Sequence, residues 1–155
     1  MRAGLISGGA LLALCACASP GEVRRLELSS TLTGFQAVPP GDLDGTGTAR
    51  LRVDARSGQV CWELNARGID PATAAHIHRG EAGSVGPPVM QLTVPVPERS
   101  EGCATVAAAL AAEMIARPHA FYVNVHNQAF PQSAIRGQLR SQITLREPRR
   151  RVPGR

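Results

Sequence analysis

Three of the chain's four histidines stand in two short motifs, Ala75-His76-Ile77-His78 and Asn124-Val125-His126. Successive side chains of an extended chain point to opposite faces, so His76 and His78 share one face of a strand while Ala75 and Ile77 take the other. The same parity sets Asn124 and His126 against Val123 and Val125. If the two strands are neighbours, three imidazoles converge on one sheet surface. Imidazole suits Cu and Zn, and a His-x-His pair joined by a third histidine supplies three nitrogens to either ion. Asn124 or Gln138 is then the nearest group to orient a ring. The competing reading of the same residues is structural: the rings hydrogen-bond loop carbonyls, and Asn124, Arg136 and Gln138 form a polar network that fixes the strand ends. His119, next to Pro118, reads as an exposed residue capping the C-terminal end of a helix.

The cysteines depend on the compartment, which the N-terminus addresses. Arg2 is a short positive region, residues 5–16 are apolar and rich in Leu and Ala, and small residues follow; this is the pattern of an export signal. Leu14-Cys15-Ala16-Cys17 resembles a bacterial lipobox with Cys17 as the lipidated residue, which predicts a signal peptide at 1–17 and a linker at 18–25. Ordinary cleavage after Ala18, with Ala16 and Ala18 as the small pair, is the alternative. Either way the protein is exported, as a cell-envelope lipoprotein held to the membrane at Cys17 or as a free secreted protein. The remaining cysteines are Cys61 and Cys103, and two cysteines in an oxidising space suggest one disulfide. Two unpaired buried thiols are the other reading.

Catalytic signatures are absent. The sequence has no G-x-S-x-G elbow, HExxH helix, Walker loop or GxGxxG after a strand, and its acids are scattered without an obvious pair. The His-Ile-His string is similar to the copper motif of Cu,Zn superoxide dismutase, but that family needs more histidines than the four present. The expectation is a protein that is not an enzyme. Charge argues against nucleic acid as well: removing residues 1–17 and everything after Glu147 takes away five of the 17 basic residues, all of them Arg, and leaves 12 against 12 acids. A nucleic-acid binder concentrates positive charge on its folded surface.

The elements that must position the histidines read as β throughout, with one exception. Leu26, Leu28 and Leu32 alternate with polar residues, as do Ala49, Leu51 and Val53, and Val60, Trp62 and Leu64; each run is a half-buried strand. The second and third are joined across Asp54-Ala55-Arg56-Ser57-Gly58, a link of hairpin length. Further strands are expected at 74–79, 89–94, 120–126 and 134–143, with one near Cys103. The string from 107 to 116 consists of strong helix formers, and Pro118 stops it. At 155 residues the chain makes one domain. Seven or eight short strands without a βαβ rhythm favour an antiparallel sandwich or barrel. The expected core is Leu26, Leu28, Leu51, Val53, Val60, Trp62, Leu64, Ile77, Val123, Val125, Ile135 and Leu139. Residues 144–155 read as a disordered Arg-rich tail.

Taken in order, Leu32-Thr33-Gly34-Phe35-Gln36-Ala37-Val38-Pro39-Pro40, Gly45-Thr46-Gly47-Thr48-Ala49, Ala74-Ala75-His76-Ile77-His78-Arg79-Gly80 with Gly86-Pro87-Pro88-Val89, and Phe121-Tyr122-Val123-Asn124-Val125-His126 with Ile135-Arg136-Gly137-Gln138-Leu139 resemble the CHRD domain, over roughly residues 26–143. The resemblance implies an all-β, antiparallel, immunoglobulin-like Greek-key β-sandwich with one short crossing helix, of a kind found in secreted proteins. Two functions follow as expectations. The first is a non-catalytic, envelope-anchored binding or structural module whose partner is an extracytoplasmic protein or glycan. The second is a periplasmic Cu- or Zn-binding protein that uses His76, His78 and His126.

Overall fold

The computed structural model describes residues 25–142. The expected export segment, Cys17, nearly all of the expected linker and the expected Arg-rich tail lie outside the described residues. Between them run nine strands: β1 (Arg25–Thr33), β2 (Thr46–Asp54), β3 (Gln59–Arg67), β4 (Ala72–Arg79), β5 (Pro88–Leu92), β6 (Arg99–Thr105), β7 (Phe121–Asn127), β8 (Ile135–Gln138) and β9 (Arg140–Ser141). One helix, α1 (Ala108–Ala116), lies between β6 and β7.

Period-two alternation carries the first hairpins. In β2 the side chains of Ala49, Leu51 and Val53 go inward, and in β3 those of Val60, Trp62, Leu64 and Ala66 do. Both strands run antiparallel in unbroken register from Thr46 opposite Arg67 to Asp54 opposite Gln59. The turn between them needs a left-handed residue, and Gly58 supplies it at φ 73°. Trp62 is buried, which fixes the parity of β3.

The strand order is β5-β4-β7-β8-β1-β2-β3-β6, with β9 pairing on β1. Every pairing is antiparallel. The sheet curls until its ends approach, and the Ser100 hydroxyl of β6 donates to the carbonyl of Thr93, just beyond β5, at 2.6 Å. The result is an all-β, nearly closed, barrel-like sheet around one core, to which both halves of the strand order contribute. At the seam, Gly137 of β8 lies against the Ser30 hydroxyl and the Thr31 carbonyl of β1, where a Cβ has no room. A helix of nine residues is too short to be stable alone, and Ala107 gives α1 no side-chain cap. What holds it is burial of Ala111 and Met114 against the sheet.

Three expectations are corrected. The single strand expected over 134–143 is broken: β8 ends at Gln138, Leu139 turns inward with its N–H donating to Phe121 O, and β9 begins at Arg140 on β1. Leu26 is only partly buried, because it lies near the open end of β1, whereas the other expected core residues are buried. His119 does not cap α1; it is exposed in a separate 3-10 turn (Pro118–Ala120) that follows Arg117. The disulfide between Cys61 and Cys103 is present, joining residues directly opposite on β3 and β6. Among the described residues no helix is long and apolar enough to cross a membrane.

Candidate metal centre

Strands β4, β7 and β8 are neighbours, and their register builds the site. His76 stands opposite Asn124, His78 opposite Tyr122 and Ala74 opposite His126. On the other side of β7, Arg136 stands opposite Asn124 and Gln138 opposite Tyr122. Residues directly opposite in an antiparallel pair share a face. All these polar side chains therefore lie on the outer surface, while Ala75, Ile77, Val123, Val125 and Ile135 fill the core beneath and are fully buried. The site is anchored through those apolar residues, not through its own.

The outer surface is covered by the loops that follow β4 and β7. Gly86 sits so tightly against the Arg79 carbonyl that no Cβ would fit. That approach brings the Gly86 carbonyl to 2.8 Å from His78 Nδ1. After β7, the Asn127 side chain accepts a hydrogen bond from the Phe130 N–H at 2.7 Å, a local turn that returns the chain over the sheet. The next residue, Pro131, places its carbonyl 3.0 Å from His126 Nδ1.

These two carbonyls accept only, so Nδ1 of His78 and of His126 carries the proton and Nε2 of each bears a lone pair. His78 Nε2 is buried and has no hydrogen-bond partner. His126 Nε2 faces His76 Nδ1 at 3.2 Å. One nitrogen from each of His76, His78 and His126 falls within a set whose members are all within 4.8 Å of one another. Nitrogens bound to one ion at about 2.0–2.1 Å are about 3.3 Å apart in a tetrahedron. The His76–His126 separation is close to that value, and one nitrogen of His78 lies within 4.8 Å of both. The residues fit Cu or Zn, with His76 Nδ1, His78 Nε2 and His126 Nε2 as ligands. Binding would leave the Nδ1–H donors of His78 and His126 in place and move the His76 proton from Nδ1 to Nε2.

Burial is the main force lowering the pKa of His76 below its usual value, and the neighbouring His126 and His78 add to it. For His78 burial again dominates in lowering the value; the Gly86 carbonyl opposes it, and the charges of His126 and Arg136 reinforce it. Both effects favour the neutral ring, which is the form that binds metal.

Asn124, Arg136 and Gln138 each hydrogen-bond a loop carbonyl, and no side-chain hydrogen bond joins the three to one another. Asn124 Nδ2 donates to Gln132 O at 3.1 Å and its Oδ1 accepts from the Ser133 hydroxyl. Gln138 Nε2 donates to Gly80 O and His119 O. The expectation that Asn124 or Gln138 orients an imidazole is therefore corrected, since the backbone of Gly86 and Pro131 does so. Two of the rings bond loop carbonyls through Nδ1, as the structural reading expects; His78 Nε2 has no partner, and His126 Nε2 faces His76 Nδ1. A residue the sequence reading left out is Tyr122, whose ring stacks on His78 at 4.9 Å and 13° between planes. Its parity with Asn124 and His126 was the available signal. The Arg136 guanidinium carbon lies 3.5 Å from the centre of the same ring.

No curated protein and no solved structure shows a significant match to the chain. The family model of the CHRD domain matches residues 28–139, a span that contains the sheet from Leu28 within β1 to Leu139, the helix, the disulfide and all three clustered histidines. That covers well over half of the 155 residues, and the chain belongs to the CHRD-domain family.

Proposed function

We propose that this protein is an exported, non-catalytic CHRD module, held in the cell envelope through Cys17, whose ligand is a Cu or Zn ion bound by His76, His78 and His126. The observation that carries the metal reading is the buried, unpartnered Nε2 of His78 beside the His76–His126 pair. The finer architecture belongs to the same proposal: an immunoglobulin-like Greek-key sandwich. It is supported by the crossovers that place β6 beside β3 and β7 beside β4.

Calorimetric titration with Zn and with Cu is expected to show one ion per chain at pH 7.5. Loss of groups that merely orient ligands typically weakens metal sites 10- to 100-fold, so removing a ligand in His78→Ala or His126→Ala is expected to cost about 100-fold or more. Acid acts in a defined direction. The folded-state pKa values of His76 and His78 lie below 6.5. Affinity should therefore fall as the pH is lowered and protons compete for the ligand nitrogens, with His76 and His78 resisting protonation to lower pH than ordinary imidazoles. Equal affinity in parent and variants, or no binding, removes the metal and leaves a module whose partner is a protein or glycan.

The anchor is tested separately. Cys17→Ser is expected to move the protein from the membrane fraction to the soluble fraction of cells, with altered mobility from the missing lipid. Retention in the membrane fraction at unchanged mobility would refute lipidation.

A further inference from the structure

Arg136 is an unusual cation. It is 3% exposed, it forms no ion pair among the described residues, and its one hydrogen bond runs from Nη2 to the Glu81 carbonyl at 2.9 Å. Buried charges are normally paired with an opposite charge, because removing an ion from water without a partner is costly. A guanidinium also offers five N–H donors, and one carbonyl and one aromatic ring leave most of them unused.

The groove that Arg136 lines has a volume of about 570 Å³, and its wall includes His78, His126 and Tyr122. No carboxylate lines it. Three protein nitrogens leave at least one position open on a Zn or Cu ion. A metal there and Arg136 are like charges in one groove, an arrangement that a negative ligand between them would stabilise.

We propose that the groove binds a small monovalent anion, a carboxylate or inorganic anion, with one end on the open metal position and the other on the Arg136 guanidinium. The inference rests on the metal reading above. Tyr122 holds the guanidinium in place from one side and stacks on a ligand histidine on the other contact, so the anion-binding group and the metal ligand are set by one ring.

The test loads the full chain with Cu(II) and follows azide binding by absorption and electron paramagnetic resonance. Imidazole serves as a neutral ligand for the same open position. In Arg136→Gln, azide is expected to bind at least tenfold more weakly and imidazole equally well. A second variant guards against loss of folding: Gln132 is exposed and lines the groove, and Gln132→Glu adds one negative charge at constant size. It too should weaken azide severalfold and spare imidazole. If Cu(II) does not bind, the metal reading fails before any anion is added and the anion site falls with it. If Cu(II) binds but azide does not, or azide binds equally to the parent and both variants, the anion site is overturned and the metal reading stands.

Discussion

Cys61→Ser/Cys103→Ser is expected to lower folding stability by about 4 kcal/mol. The bridge joins residues 42 apart in sequence. Without it the unfolded chain regains the conformations excluded by a closed loop of that length, which the chain-entropy account values at about 4 kcal/mol. The native strands lose little, because β3 and β6 stay paired by seven residues on each side. Against a typical net stability of about 5–15 kcal/mol the change is large. For a domain of this size it corresponds to a fall in Tm of about 10–15 °C. Urea unfolding of the oxidised, reduced and doubly substituted proteins measures it, and the slope should steepen without the bridge as the unfolded state expands. A change below about 1 kcal/mol would mean that the bridge does not constrain the unfolded ensemble.

Phe121→Ala is the second substitution with a large expected cost, about 3–5 kcal/mol. Phe121 opens β7 and is fully buried, and it heads the largest such side chains in the core. Its ring lies beneath Arg79, whose guanidinium carbon is 5.5 Å from the ring centre. Its backbone also receives the Leu139 N–H where β8 gives way to β9. Truncation removes the ring's transfer free energy and leaves a cavity in the core. Metal affinity should change little in the same variant, since the register that sets His126 is held further along β7 by Val123 and Val125. Chemical denaturation together with metal titration separates the two effects. A cost below about 1 kcal/mol, or metal affinity lost in step with stability, would contradict this division between core and site.

Much of this molecule was legible in the residues themselves. Which face each strand residue takes is a local property of an extended chain, so alternation alone placed Leu51, Trp62, Ile77 and Val123 inside and His76, His78 and His126 together on outward faces. The cysteine pairing was suggested by the count of two and the expected export, and the helix by its string of helix formers ahead of Pro118. Phe121 has the parity of Val123 and Val125 and is a core residue that the expected core did not contain.

Only the tertiary structure decided that β4 and β7 are neighbours. His76 and His126 are 50 residues apart, and their meeting depends on β4 pairing with β7 across the intervening β5, β6 and α1, a balance of non-local packing and loop entropy that no local pattern encodes. The same holds for the groups that set the rings. The acceptors are the carbonyls of Gly86 and Pro131, and a backbone carbonyl belongs to every residue, so it leaves no signature in a sequence. Arg136 reads in the sequence as any other arginine. Its isolation from every acid among the described residues, against Tyr122 and beside the histidines, exists only once three strands have fixed their register.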